Sequence, residues 1–145
     1  MNITKFTIEL FFGFLSSFGF GVITNIPRRV LLPAGLTGAL SWGAYCWLGL
    51  YTSQVLWQNL VATIVIGYLG NFFAVRYKTP VTMLYIPGLV SLVPGALAAI
   101  GMQSFVRGQQ SQAGLQMQTV FLIAIALTIG FIIGESLYKV TNRFK

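Results

Sequence analysis

With 145 residues, 56% of them hydrophobic and only 8% charged, the chain cannot cover a water-facing surface, since soluble domains carry roughly a quarter of their residues as charges. The lipid bilayer is therefore its solvent, and the formal charge of +7, set in short clusters between apolar runs, signals membrane orientation and not nucleic-acid binding. The absence of histidine, a single cysteine (Cys46) and only two acids (Glu9 and Glu135) exclude a Cys/His metal site, an internal disulfide and a histidine-based catalytic pair, so neither a cofactor nor an enzyme is expected.

The opening "MNITKFTIELFFGFLSSFGFG" has one basic residue, Lys5, a long apolar run and no clear small-x-small cleavage site, so it reads as a retained first membrane helix and not a signal peptide. A spanning helix needs about 20 apolar residues. Five segments qualify in chain order: residues 6–26, 30–50, 59–75, 81–102 and 119–138. The connections are "PRR", "YTSQVLWQ", "RYKTP" and a polar stretch over residues 103–118, with Pro27 and Pro80 where helices should stop. The expected fold is thus an all-α polytopic membrane protein in one transmembrane domain.

Cations alternate along this scheme. Arg28 and Arg29 follow the first span, Arg76 and Lys78 the third, and Lys139, Arg143 and Lys145 the fifth; only Lys5 and Arg107 fall on the other side. The positive-inside rule then puts the N-terminus outside and the C-terminus in the cytoplasm.

Small residues recur every four positions: Gly13, Ser17 and Gly21; Gly35, Ala39 and Gly43; Thr63, Gly67 and Asn71; Ala126, Gly130 and Gly134. Such stripes let membrane helices approach closely. The fourth span spaces its small residues more loosely, at Gly88, Ser91, Gly95, Ala98 and Ala99. Five short helices enclose little volume, so a complete solute pathway calls for a second subunit.

That fourth span contains "YIPGLVSLVPGALAAIG", with two Pro-Gly pairs seven residues apart. Proline removes a helix donor and clashes with the preceding turn, and glycine loosens what remains. Pro87, Ser91 and Pro94, spaced i, i+4 and i+7, share one face of an ideal helix, and breaks at both pairs are expected. The Gly95 and Ala96 N–H groups would open a new half-helix, as in transporters whose broken helices bind anionic solutes. Proline kinks that merely shape the bundle are the alternative. Other polar residues at depth are Ser16, Ser17, Thr37, Ser41, Thr63, Asn71, Thr82 and Thr128. Asn71 suits either a helix–helix bond or a solute contact. Glu9 with Lys5, and Glu135 with Lys139, have the four-residue spacing of helical ion pairs; Glu135 is also the better proton-coupling candidate.

"NIPRRVLLPAGLTGALSW" followed by "GNFFAVRYKTPVTMLYIPGLVSLVPGALAA" resembles the smaller, C-terminal-type half of the threonine/serine exporter family. The resemblance covers nearly the whole chain and is most specific in "KTPVT…IPGLVSLVPG". It implies an exporter subunit for threonine- or serine-type amino acids or for dicarboxylates such as succinate. The subunit would work with a larger membrane subunit, as one half of an inverted-repeat transporter. The family pattern falls on Asn25, Pro27, Pro80, Pro87, Gly88, Pro94 and Gly95. Where many relatives have glycine and tyrosine after the second Pro-Gly, this chain reads "ALAAIG", which leaves the solute open. The expected binding set is Asn25, Asn71, Tyr85, Pro87, Gly88, Ser91, Pro94, Gly95 and Ala96, facing a small carboxylate. The alternatives are a non-transporting accessory subunit of a larger carrier and a passive homo-oligomeric channel.

Overall fold

The computed structural model describes residues 3–142; Arg143 and Lys145, both part of the charge pattern, lie outside the described residues. The described chain is all-α, with six helices: α1 Ile3–Ile23, α2 Arg28–Leu48, α3 Val55–Tyr77, α4 Thr82–Leu89, α5 Gly95–Val106 and α6 Gln110–Asn142. Three of them, α1, α3 and α6, are long and apolar enough to cross a membrane. At 21 residues α2 matches α1 in length, but glycine, alanine and its leading arginines dilute its apolar character.

Two helix ends are closed by the same device. Asn25 follows α1 at φ 54° and Lys78 follows α3 at φ 50°. The next N–H reaches back to the helix in each case, Ile26 to the Gly21 carbonyl at 3.1 Å and Thr79 to the Ala74 carbonyl at 3.0 Å. This is a Schellman closure, in which a left-handed residue turns the chain away and satisfies the last carbonyls. Asparagine tolerates that conformation better than most side chains. The Asn-x-Pro of the sequence is therefore first of all a helix stop.

The fourth span breaks once, not at both Pro-Gly pairs. Pro87 and Gly88 stay inside α4, and the helix opens only over residues 90–94. Packing accounts for the difference. Pro87 and Gly88 are buried, and Gly88 sits against Thr37 and Ile66, so contacts with α2 and α3 hold a turn that proline alone would weaken. Gly95 has open space where a side chain would be, and no such contacts hold the second pair helical. The last connection differs too. In place of a polar loop over residues 103–118, α5 runs to Val106 and α6 begins at Gln110. Gly108 turns the chain between them at φ 76°. Gln, Ala, Leu and Met in "QSQAGLQMQ" are good helix formers, so polarity there lengthens α6 without unwinding it.

The small-residue stripes are where the helices meet. The buried residues of α1 are Gly13, Ser17 and Gly21, and those of α6 include Ala126, Gly130 and Gly134. Gly35, Ala39 and Gly43 are buried on α2, and Thr63 and Gly67 on α3. Gly13 lies under Trp42 and Gly43 under Leu10, so α1 and α2 run antiparallel. Gly130 abuts Leu60 and Thr63 while Gly134 abuts Ile64 and Gly67, so α3 and α6 run parallel. Tyr85 over Gly70 and Leu92 beside Ala62 and Ile66 set the α4 segment antiparallel to α3. Large apolar side chains such as Phe11, Phe12, Leu32, Phe121 and Ile132 point outward. With apolar groups outside and small residues inside, close backbone packing associates these helices.

Candidate functional site

The opening between α4 and α5 borders a cleft of about 190 Å³ lined by Trp42, Tyr45, Asn59, Ser91, Pro94 and Ala96, among others. Pockets for drug-sized ligands measure roughly 300–1,000 Å³, so this smaller space suits a small metabolite. Its backbone is irregular for a physical reason. Leaving α4, the Val93 N–H bonds the Leu89 carbonyl at 3.1 Å, and Pro94, which lacks an N–H, then caps α5. The Gly95 N–H turns back to the Val93 carbonyl at 2.8 Å, so the donor expected to meet a carboxylate is already engaged. Helical bonding resumes with Ala98 N–H to the Pro94 carbonyl at 3.0 Å. The N–H groups of Ala96 and Leu97, in the first turn, have no intrahelical acceptor, and both residues line the cleft. This is the donor end of a helix at the edge of a small cavity, the arrangement that favours an anion.

The wall opposite is aromatic and amide. Trp42 and Tyr45 are stacked, with centroids 5.1 Å apart and planes 11° from parallel. The Trp42 Nε1–H donates to Glu9 Oε2 at 2.8 Å, which locks the indole. Glu9 thus finds its partner on the neighbouring helix and not in the expected Lys5. Asn59, from the first turns of α3, completes the wall. The expected site omits it, although the four-residue stripe of Thr63, Gly67 and Asn71 extends back to it by one step.

The other expected residues fall elsewhere. The Asn71 Nδ2 donates to Tyr85 Oη at 2.5 Å and to the Gly67 carbonyl at 2.8 Å, and the Tyr85 ring lies 4.8 Å from that of Phe131. These groups bind α3 to α4 and satisfy one another away from the cleft. Ser91 meets Ser16 of α1, hydroxyl to hydroxyl at 3.2 Å, at the cleft edge. Gly95 lines a separate apolar recess with Phe20, Ile86, Leu89, Val90 and Val93. Asn25 and Pro87 border a second cleft of about 210 Å³, together with Thr24, Ile26, Thr82, Met83 and Ile86. Gly88 lies in the packed layer against Thr37 and Ile66. The buried hydroxyls of Thr37, Ser41 and Thr63 donate to carbonyls of their own helices, those of Pro33, Gly38 and Asn59. Glu135 pairs with Lys139 at 2.6 Å; the two side chains are 44% and 70% exposed.

Residues 9–137 match the family model described as "Threonine/Serine exporter, ThrE". The chain belongs to the threonine/serine exporter family. The match takes in the whole of α2 to α5 and most of α1 and α6. Membership of this family, with three helices apolar enough to span, makes the chain part of a membrane exporter family and points away from an enzyme. It is also 24% identical over 103 residues to an "Uncharacterized protein" of Haemophilus influenzae, a stretch that covers 71% of this chain and 35% of that protein. The chain thus spans only about a third of the length of that relative. No solved structure matches it.

Proposed function

We propose that this chain is the small subunit of a two-component exporter for small carboxylate-bearing metabolites, either threonine- and serine-type amino acids or dicarboxylates such as succinate. It crosses the membrane five times, α4 and α5 together forming the fourth pass, with the N-terminus outside. The antiparallel α1–α2 and α3–α4 pairs and the parallel α3–α6 pair support that alternation, as does the distribution of Arg28, Arg29, Arg76, Lys78 and Lys139. Paired with a larger subunit of opposite orientation, it forms one half of an inverted repeat.

The observation that carries the reading is the N-terminus of α5, with Ala96 and Leu97 of its first turn lining a cleft. Two clefts lie on either side of the layer where Gly88 packs on Thr37 and Ile66, one at Asn59 and Ser91 and one at Asn25. Alternating access would move a solute between them across that layer. Among the described residues α5 packs on α6 alone, which supports a partner subunit covering its remaining faces.

The test is export of labelled threonine, serine and succinate from loaded cells expressing this chain, the larger partner, or both. Flux only with both supports a shared pathway; equal flux without this chain reduces it to an accessory role. Ala96→Pro then probes the site. Proline is tolerated in a first helical turn but removes the N–H donor. A hydrogen bond to a charged group is worth about 1.5–3 kcal/mol, so export should fall at least ~10-fold at unchanged membrane abundance. Normal flux in Ala96→Pro and Ser91→Ala would remove the cleft from the pathway.

A further inference from the structure

Asn59 is 2% exposed, and its side-chain oxygen, Oδ1, has no hydrogen-bond partner. Its Nδ2 donates to the Val55 carbonyl at 2.8 Å. That bond fixes the amide, because turning it over would set two carbonyl oxygens against each other. A buried acceptor without a donor is destabilising and rare in folded proteins. Among the described residues only the Ser17 hydroxyl shares this condition, and it is sealed between α1 and α2 against Gly38. The Asn59 oxygen is equally closed to solvent, but its residue lines the cleft at the N-terminus of α5.

We propose that Asn59 is the specificity-determining residue of this cleft, its Oδ1 accepting a hydrogen bond from an ammonium or hydroxyl group on the solute whose carboxylate α5 holds. The inference rests on the carboxylate reading above and narrows it. Two parts of the cleft lining have opposite hydrogen-bonding character: the first turn of α5 only donates, and the fixed Asn59 oxygen only accepts. A solute carrying one carboxylate and one nearby donor satisfies both. A dicarboxylate would set its second carboxylate against the Asn59 oxygen, two acceptors with no proton between them. The stacked faces of Trp42 and Tyr45 beside Asn59 add attraction for an ammonium over a neutral hydroxyl. The cleft therefore selects amino acids first, hydroxy acids second, and simple carboxylates or dicarboxylates last.

L-Alanine, L-lactate and propionate test this directly. They share a carboxylate and a three-carbon skeleton and differ only in carrying an ammonium, a hydroxyl or a hydrogen. Each is titrated into the purified full chain in lipid nanodiscs. A Trp47→Phe, Trp57→Phe background leaves Trp42, in the cleft wall, as the fluorescent reporter. Alanine should bind at least ~10-fold tighter than propionate, with lactate between. Asn59→Leu should bring the three affinities together, whereas Asn59→Asp, which keeps an acceptor, should keep alanine ahead. An alanine-to-propionate ratio unchanged in Asn59→Leu overturns the assignment. So does a ratio lost in Asn59→Asp, which decides the matter by itself where Asn59→Leu does not fold. A wild-type chain that responds to none of the three acids overturns the carboxylate cleft itself, and the proposed function with it.

Discussion

Replacing Gly134 by alanine adds one methyl group where α3 and α6 touch backbone to backbone. A Cβ at that position would lie 2.5 Å from the Ile64 carbonyl oxygen, 2.9 Å from Gly67 Cα and 3.1 Å from Tyr68 N. Favourable contacts between carbon atoms sit near 3.5–4.0 Å, so the helices must separate by about 0.5–1 Å, and every atom pair along the seam then loses part of its dispersion attraction. None of the three obstructing atoms belongs to a side chain that could rotate away. Overpacking of this kind costs about 1–3 kcal/mol. Gly114, also on α6, provides the control, with nothing within 4 Å of its would-be Cβ. There alanine should stabilise by up to about 1 kcal/mol through helix propensity alone. Helix propensity favours alanine at both sites alike, so the two substitutions, chemically identical and on one helix, should differ by the overpacking cost of about 1–3 kcal/mol. Reversible unfolding in mixed micelles, followed by circular dichroism, measures that difference. Gly67 faces Gly134, so the double variant Gly67→Ala, Gly134→Ala should cost less than the sum of the singles, because the helices separate only once. Equal stability of Gly134→Ala and Gly114→Ala, within about 0.5 kcal/mol, would refute the view that the glycine stripe sets the α3–α6 distance.

Asn25→Gly should preserve stability and export, since glycine adopts the left-handed closure of α1 freely, whereas Asn25→Ala should cost about 1–2 kcal/mol in the same unfolding assay; a folded Asn25→Gly that does not export would give the side chain a direct part in transport. Tyr85→Phe should lower stability by about 1 kcal/mol, because Asn71 loses one of its two acceptors, and should leave export per folded molecule unchanged. Reduced export at full stability would return the Asn71–Tyr85 pair to the solute pathway. Glu135→Gln should change stability by no more than about 0.5 kcal/mol, as befits an exposed pair with Lys139, and should leave the pH profile of export intact. A flattened pH profile would make Glu135 a proton carrier.

The sequence by itself determined the membrane environment, because so few charged residues cannot cover a water-facing surface, and it determined the helix contacts, because only small residues permit close backbone approach without a hydrophobic driving force. Gly13, Ser17 and Gly21, read as a stripe, are the buried residues of α1. It also located the opening of the fourth span, since Pro94 cannot continue the helix that ends before it. Other features depended on neighbours distant in the chain. Pro87 stays helical because Thr37 and Ile66 pack around Gly88, contacts absent from the local sequence. Glu9 bonds Trp42, 33 residues away, although Lys5 stands at ideal helical spacing. Asn71 and Asn59 are the same residue type on the same helix, yet Asn71 meets Tyr85 while Asn59 keeps an unpartnered oxygen at a cleft. Helical periodicity can give both asparagines a face, but the partner available on that face is decided only when α2, the α4–α5 break and α6 close around it.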